Sequence, residues 1–218
     1  MHRWLALALL LSLTASGSAR ADEPLALRAS WAGNLDFFST GAALASDSNN
    51  DGKVDTSAQP GKVTVGAADL TPGAALEAAY LYWGATRPAA GCAADQLDDE
   101  VSFTPPGMPT GPVQAEACHC SASPGYDMQL CRADVTGLLG AMTGEYAVAG
   151  LDALIMNGDT NNASFAIVLV YRADALPQRR VGLHDGLLGL SGSGTPTTTV
   201  TLTDVKISNP PQGDLTWY

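Results

Sequence analysis

Short runs of β-forming residues alternate with turn-forming clusters along most of this chain, and sustained helical periodicity is scarce. The 218 residues include 23 Gly and 13 Pro, which are spread throughout the sequence. Many short strands bounded by turn signals are typical of a sandwich or barrel. We therefore predict an all-β fold, an antiparallel β-sandwich of jelly-roll or immunoglobulin-like type, as a single domain over residues 22–218.

One segment, residues 164–171, gives the strongest strand signal. Its unbroken run of apolar, largely β-branched residues predicts a strand that is buried on both faces. One short helix is predicted over residues 133–142, where Asp134 can act as the N-cap and Leu138, Leu139 and Met142 share a face. The other predicted strands are residues 27–38, 62–66, 75–85, 100–104, 112–120, 145–149, 180–190 and 197–207.

The first 21 residues have the three parts of a secretory signal peptide. A short positive start at Arg3 precedes an apolar run over residues 4–13, and Ala19 and Ala21 supply the small residues that signal peptidase requires. The apolar run is shorter than the roughly 20 residues of a membrane-spanning helix. We predict cleavage after Ala21, a secreted or cell-surface location, and no transmembrane segment in the mature chain.

The charge balance is strongly acidic. The full chain carries 11 basic and 22 acidic residues, and cleavage after Ala21 would also remove Arg3 and Arg20. A negative field repels phosphate backbones, so nucleic acid is not an expected partner. Cations suit such a surface, although acidity also serves simply to keep an exported protein soluble.

Four cysteines, Cys92, Cys118, Cys120 and Cys131, occur in the sequence. An even number in an exported chain points to disulfides. Cys118 and Cys120 are too close along the chain to bond each other in relaxed geometry, so each is expected to pair with Cys92 or Cys131. A metal site around His119 is the alternative, but one residue between cysteines is fewer than zinc sites usually have.

Residues 47–55 have the side-chain spacing of a calcium loop. Oxygen ligands at positions 1, 3, 5 and 9 would come from side chains, position 7 would give a backbone carbonyl, and Gly52 permits the turn. The candidate metal ligands are Asp47, Asn49, Asp51, Lys53 (through its carbonyl) and Asp55. The segment resembles the calcium loops of EF-hands, dockerins and thrombospondin-type repeats. Position 12 is Ala58 rather than Glu, so Asp55 or a remote carboxylate must complete the shell, and a plain Asn/Asp/Gly turn is the alternative.

Catalytic patterns are weak by comparison. His119 lies between two cysteines, and the His184–Asp185–Gly186 tripeptide has the composition of a turn. Residues 189–193 match a nucleophile elbow only loosely. A second Asn/Asp cluster, residues 157–162, is expected to be a loop at an edge of the sandwich.

Several stretches together resemble a β-sandwich module near the N-terminus of large, secreted, adhesin-like bacterial surface proteins of unknown function. They are residues 79–84, 133–136, 144–148, 163–171, 177–180 and 185–186. The resemblance implies a non-catalytic extracellular module, often joined to repeat domains.

These observations favour a structural or adhesion module, stabilised by calcium and disulfides, whose partner is a cell-surface or matrix component, with a glycan as one candidate. A carbohydrate-binding module is a second hypothesis, in which exposed Trp31 or Trp83 would stack on sugars near calcium. A secreted hydrolase is a third, and it requires a cleft that holds His184 with Asp185 or Ser191.

Overall fold

The computed structural model describes residues 23–156 and 161–189, together with positions 197, 199 and 201. It is an antiparallel β-sandwich, which confirms the predicted fold class. The strands are β1 (Glu23–Ala43), β2 (Ala45–Ser46), β3 (Thr56–Ser57), β4 (Gly61–Val65), β5 (Ala75–Pro88), β6 (Glu100–Thr104), β7 (Gly111–Gln114), β8 (Ala117–Ser123), β9 (Tyr126–Asp134), β10 (Gly144–Ala149), β11 (Ala163–Arg172) and β12 (Gln178–Leu187).

Two sheets account for most of these strands. The larger has the order β12-β1-β11-β5-β9-β8, and the smaller has the order β4-β10-β6-β7. Strands β2 and β3 form a separate two-stranded hairpin. Pairing between neighbouring strands is antiparallel throughout.

The main core lies between the two sheets. Alternate residues of β5 and β11 point into it, and the smaller sheet supplies the facing layer. Its largest fully buried side chains include Leu81, Trp83, Ile167, Leu169, Phe103, Tyr146, Val65 and Val101. Successive side chains of a strand point to opposite faces of its sheet. One face of the smaller sheet packs on the core and the other is exposed to solvent, so buried and exposed residues alternate along its strands.

The opposite face of the larger sheet is also covered. Strand β1 pairs with β11 through residues 35–43 and with β12 through residues 23–34. We call residues 23–34 of β1 together with β12 the ribbon. It folds over the outer face of β5, β9 and β8, where Trp31 packs on Tyr80 with a centroid distance of 6.1 Å.

This covering gives strand β11 two buried faces, as the sequence predicts. Phe165, Ile167 and Leu169 belong to the main core. Val168 and Val170 belong to a second apolar cluster under the ribbon, together with Tyr80 and Tyr82 of β5. The second cluster explains why an unbroken apolar run, rather than alternation, marks this strand.

The helix predicted over residues 133–142 is wrong. Strand β9 runs to Asp134, and only a single 3-10 turn, Thr136–Leu138, follows it. The Asp134 carboxylate accepts a hydrogen bond from the Thr136 N–H, but the N-cap of this turn is Val135 rather than Asp134, and Gly137 and Gly140 disfavour continuation. Leu138 is 45% exposed, so the expected apolar helix face does not form.

The strand predicted over residues 112–120 is two strands in the structure. Strand β7 belongs to the smaller sheet and β8 to the larger, and the chain crosses between them at Ala115 and Glu116. The prediction of a last strand at residues 197–207 falls outside the described residues, apart from positions 197, 199 and 201. The predicted signal peptide also lies outside them.

Within the part of the chain that the structure describes, no helix has the length and apolarity needed to cross a bilayer.

Candidate functional site

The loop with calcium-type spacing connects the two strands of the β2–β3 hairpin. Ala45 pairs with Ser57 and Ser46 with Thr56, so residues 47–55 are held at both ends by strand pairing. Asn50 has φ +60° and Gly52 has φ +87°, and these left-handed residues let the chain coil tightly. The loop itself is exposed to solvent.

Side-chain oxygens fold this loop around its own backbone. The two oxygens of Asp47 accept hydrogen bonds from the N–H groups of Asp51 and Gly52, at 3.2 and 2.7 Å. Asn49 Oδ1 accepts from Asp51 N–H, and Asp51 Oδ1 accepts from Lys53 N–H, both at 2.9 Å. Residues at positions 1, 3 and 5 therefore turn their oxygens toward the inside of the loop.

Asp55 is oriented differently from the other predicted ligands. Its carboxylate accepts hydrogen bonds from the Ser48 N–H and hydroxyl, at 2.9 and 3.1 Å. These hydrogen bonds lower the pKa of Asp55. The second Asn/Asp cluster meets the loop through Asn161, whose side-chain amide donates to the Val54 carbonyl at 2.8 Å; residues 157–160 of that cluster lie outside the described residues.

The described residues contain one group of three His, Cys, Asp or Glu ligand atoms within 4.8 Å of one another. It consists of Cys92, Cys120 and Asp127, and its two sulfurs are joined in a disulfide. The loop carboxylates of Asp47, Asp51 and Asp55 do not form such a group. However, a carboxylate oxygen has more than one lone pair and can accept an N–H while it coordinates a cation. The donor set of the loop therefore fits calcium chemically.

The cysteines form two disulfides, Cys92–Cys120 and Cys118–Cys131. The second joins residues that face each other on β8 and β9. The first ties the loop over residues 89–99 to strand β8. Each of Cys118 and Cys120 thus pairs with one of the two distant cysteines, as predicted, and the metal alternative around His119 does not apply.

The loop over residues 89–99 is fixed to the core side of β9 by polar contacts. Asp127 accepts hydrogen bonds from the Ala90 and Cys92 N–H groups, both at 2.9 Å. Gln129 both donates to and accepts from the Asp98 backbone, and Trp83 Nε1 donates to the Asp98 carbonyl at 3.0 Å. This loop covers the part of the larger sheet that carries both disulfides.

A second polar assembly, which we call the Asp185 cluster, lies between the ribbon and the larger sheet. The Asp185 side chain is only 2% exposed. Its oxygens contact Arg28 Nε, Arg132 Nε at 2.7 Å, and His119 Nε2 at 3.3 Å. The Tyr82 hydroxyl lies 3.4 Å from the same carboxylate.

The outer members of the Asp185 cluster are carboxylates. Glu23 Oε2 lies 2.5 Å from His119 Nδ1, and Glu116 Oε2 lies 2.7 Å from Arg132 Nη1. With His119 protonated, three cationic side chains face three carboxylates, so the charges balance. Burial penalises an unpaired charge severely, and balance of this kind is what makes such a cluster tolerable.

The electrostatics follow from these contacts. Burial alone would raise the pKa of Asp185, but hydrogen bonding with His119 and Arg28 and the charges of Arg28 and Arg132 outweigh it and lower the pKa to about 2. The contact with Asp185 raises the pKa of His119, burial opposes this, and Glu23 adds to the rise. The net pKa of His119 lies above that of an ordinary histidine.

The remaining sequence candidates occupy structural positions. Trp83 is fully buried, so it cannot stack on a sugar, and Trp31 is partly buried against Tyr80. Asp185 lies in strand β12 rather than in a turn, and it contacts His119 instead of its neighbour His184. Ser191 lies outside the described residues.

Sequence reasoning missed the Asp185 cluster. Its charged members come from β1, β9 and β12, from β8 and from the residue that precedes β8, and no local pattern links Arg28, His119, Arg132 and Asp185. One member carries a faint signal: Asp185 lies within residues 180–190, which are predicted to form a strand. A charge inside a strand that is covered on both faces requires a partner.

Comparison of the chain with protein-family models, with curated proteins and with solved structures gives no match.

Proposed function

We propose that this chain is a non-catalytic, extracytoplasmic module that builds or adheres to structure at the cell surface. It is exported by residues 1–21 and processed after Ala21. Its partner is a cell-surface or matrix component, and glycans are one candidate class. The resemblance to the N-terminal modules of adhesin-like bacterial proteins agrees with this proposal.

The observation that carries the proposal is the use of all four cysteines in disulfides. Both bridges fix the same region, the edge formed by β8, β9 and the loop over residues 89–99. Disulfides persist in oxidising compartments and are rare in the cytosol. A chain with two disulfides is suited to an oxidising compartment outside the cytoplasm, which is where a signal peptide directs a protein.

The roles of the titratable groups support a structural function. Asp185 and His119, which could serve acid–base chemistry elsewhere, are buried and bound to groups of the protein itself. Their contacts fasten the ribbon to the sheet. Polar groups used in this way contribute to the fold rather than to a substrate site.

We further propose that residues 47–55 bind calcium and stiffen this end of the sandwich. Position 1, 3 and 5 oxygens already face inward, and the β2–β3 pairing holds both ends of the loop. A solvent-exposed loop without a bidentate Glu would bind weakly, at a Kd on the order of 10⁻⁴–10⁻³ M, which suits extracellular calcium.

Export is tested by expressing the full chain with a C-terminal tag in a bacterium. We expect a mature product that begins at Asp22, has no free thiol, and is accessible to protease added outside the cytoplasmic membrane. The control is the double variant Leu7→Arg, Leu9→Arg, which interrupts the apolar run and should remain inside with reduced cysteines. A wild-type chain that stays in the cytoplasm with four thiols would refute the proposal.

Calcium binding is tested by isothermal titration of the mature protein with calcium chloride. We expect binding heat for the wild type and none for Asp51→Ala, which removes the position 5 oxygen. The matched control is Asp174→Ala, the same substitution on an exposed residue beyond the far end of β11. Absence of heat with the wild type, or equal heat for both variants, would remove calcium from the proposal without affecting export.

A further inference from the structure

The ribbon is the outermost layer of the fold, and its polar attachment to the larger sheet is concentrated in one place. Asp185 of β12 contacts Arg132 of β9 and His119 of β8, and Glu23 of β1 contacts the other nitrogen of His119. Between the cluster and the other end of the ribbon, the contacts with the sheet include apolar side chains, among them Trp31 and Leu183. At that other end, where β1 changes partner, Arg179 forms an ion pair with Asp36 and the Asn34 carbonyl accepts a hydrogen bond from the Ala173 N–H. The cluster therefore determines whether this end of the ribbon remains attached to β8 and β9.

His119 is the central group of this attachment. Its side chain is 3% exposed, and each ring nitrogen faces a carboxylate that belongs to the ribbon. A neutral imidazole carries one N–H and one lone pair, so it can donate to only one of these carboxylates. The protonated ring carries an N–H on each nitrogen, so one N–H faces Glu23 at 2.5 Å and the other faces Asp185 at 3.3 Å, and the ring also brings the positive charge that balances the cluster.

We propose that the ribbon is a pH-controlled cover, which detaches from β8 and β9 when His119 loses its proton. Loss of the proton leaves one lone pair directed at a carboxylate and one negative charge uncompensated in a buried setting. The released end of the ribbon uncovers Tyr80 and Tyr82, which are otherwise buried. The smaller sheet, the pairing among β11, β5, β9 and β8, and the main core do not depend on this contact.

The charged and titratable groups around His119 come from each neighbouring element. They are Glu23 and Arg28 of β1, Asp185 of β12, Arg132 of β9, Tyr82 of β5, and Glu116, which precedes β8. The two arginines stay charged at every pH considered, and the carboxylates are ionised from mildly acidic pH upward. Within the cluster, His119 is therefore the group whose charge changes between neutral and alkaline pH. Cleavage after Ala21 would also create an α-amino group on Asp22, one residue before Glu23, which titrates at about 7.7–8.0 and is retained in the His119→Gln variant.

The direction of the pH effect follows from the sign of the shift. The pKa of His119 is raised in the folded protein, so its stabilising contribution is complete below the ordinary histidine pKa of about 6.5. The contribution disappears as the pH rises through the raised folded-state pKa. Attachment is thus predicted to be strong in mildly acidic conditions and weak in alkaline ones.

The experiment is an NMR titration of the intact, disulfide-bonded mature chain from about pH 5 to pH 9. Histidine ring signals report protonation, and amide protection factors, corrected for intrinsic exchange rates, report detachment. His184 is the other histidine downstream of the predicted signal peptide, so a His184→Gln variant assigns the signals. We expect His119 to titrate above 6.5, and ribbon amides to lose about tenfold in protection per pH unit of that shift.

The amides of β6 and β10 provide the internal control and should keep their protection across the same interval. A His119→Gln variant, which has no titrating ring, should show ribbon protection that does not change with pH. The wild-type titration decides the matter even if this variant does not fold. Constant ribbon protection while His119 deprotonates, a midpoint at or below 6.5, or simultaneous loss of protection in β10 would each overturn the proposal.

Discussion

Asp185 is buried among three cationic side chains, so its charge matters more to the fold than that of an exposed carboxylate. Removing one partner of a buried ion pair leaves the others desolvated and uncompensated. An exposed pair such as Lys62–Glu145, whose side chains are 53% and 54% exposed, loses little when it is broken. The two sites therefore make a matched comparison on one molecule.

We predict that Asp185→Asn lowers the free energy of unfolding by about 3–5 kcal/mol at neutral pH. The control Glu145→Gln should cost no more than about 1 kcal/mol. Denaturant unfolding followed by tryptophan fluorescence measures both. Equal and small effects would mean that the Asp185 cluster does not hold the ribbon.

The contribution of Asp185 to the free energy of unfolding should also depend on pH, which gives a second prediction. The folded-state pKa of Asp185 is lowered to about 2, so its contribution is present above the ordinary Asp pKa of about 3.9 and is lost as the pH falls toward 2. The stability difference between wild type and Asp185→Asn should therefore shrink between about pH 4 and pH 2. A difference that stays constant over this range would contradict the charge assignment.

At the scale of elements, the sequence predicts those strands whose buried faces carry apolar side chains. Residues 164–171 are predicted correctly because their apolar side chains fill two apolar layers. Strand β9 escapes detection because its inward positions include Asp127 and Gln129, which are buried but satisfied by the loop over residues 89–99. Hydrophobic periodicity cannot find a strand whose buried face is polar.

The pairing of β1 with β11 depends on a close approach at Gly41. A Cβ atom there would lie 2.2 Å from the Phe165 carbonyl oxygen, whereas a Cβ at Gly111 of β7 would have no neighbour within 4 Å. We predict that Gly41→Ala costs about 1–3 kcal/mol, as overpacking does, while Gly111→Ala is close to neutral. Thermal unfolding of the two variants compares them directly, and equal melting temperatures would refute the close approach.

The two disulfides should contribute differently to the elements that they join. Cys92–Cys120 closes 28 residues and holds a loop, whereas Cys118–Cys131 closes 13 residues between strands that already pair. On the chain-entropy model each is worth about 3–4 kcal/mol, with the longer closure worth more. The double variant Cys92→Ser, Cys120→Ser should lose more stability than Cys118→Ser, Cys131→Ser, and the reverse order in urea unfolding would contradict this account.

At the scale of the whole molecule, three layers explain how a chain of this size buries its largest sheet on both faces. The smaller sheet covers one face and the ribbon covers the other. The fold class could be predicted because it depends on strand content and turn spacing. The ribbon could not, since nothing local indicates that β1 changes partner between residues 34 and 35.

The same distinction applies to the candidate sites. The loop at residues 47–55 is contiguous, so its spacing is visible in the sequence, and in the structure the oxygens of Asp47, Asn49 and Asp51 accept hydrogen bonds from N–H groups of the same loop. The Asp185 cluster is assembled from four strands that are distant in sequence. Its existence depends on tertiary packing, and only the structure brings its members together.

Disulfide mapping of the exported protein tests the central claim, an extracytoplasmic module stapled at one edge, most directly. Mass spectrometry of non-reduced peptides should find Cys92 linked to Cys120, Cys118 linked to Cys131, no free thiol, and a chain that begins at Asp22. Free cysteines, the alternative pairing of Cys92 with Cys118 and Cys120 with Cys131, or an uncleaved N-terminus would contradict it.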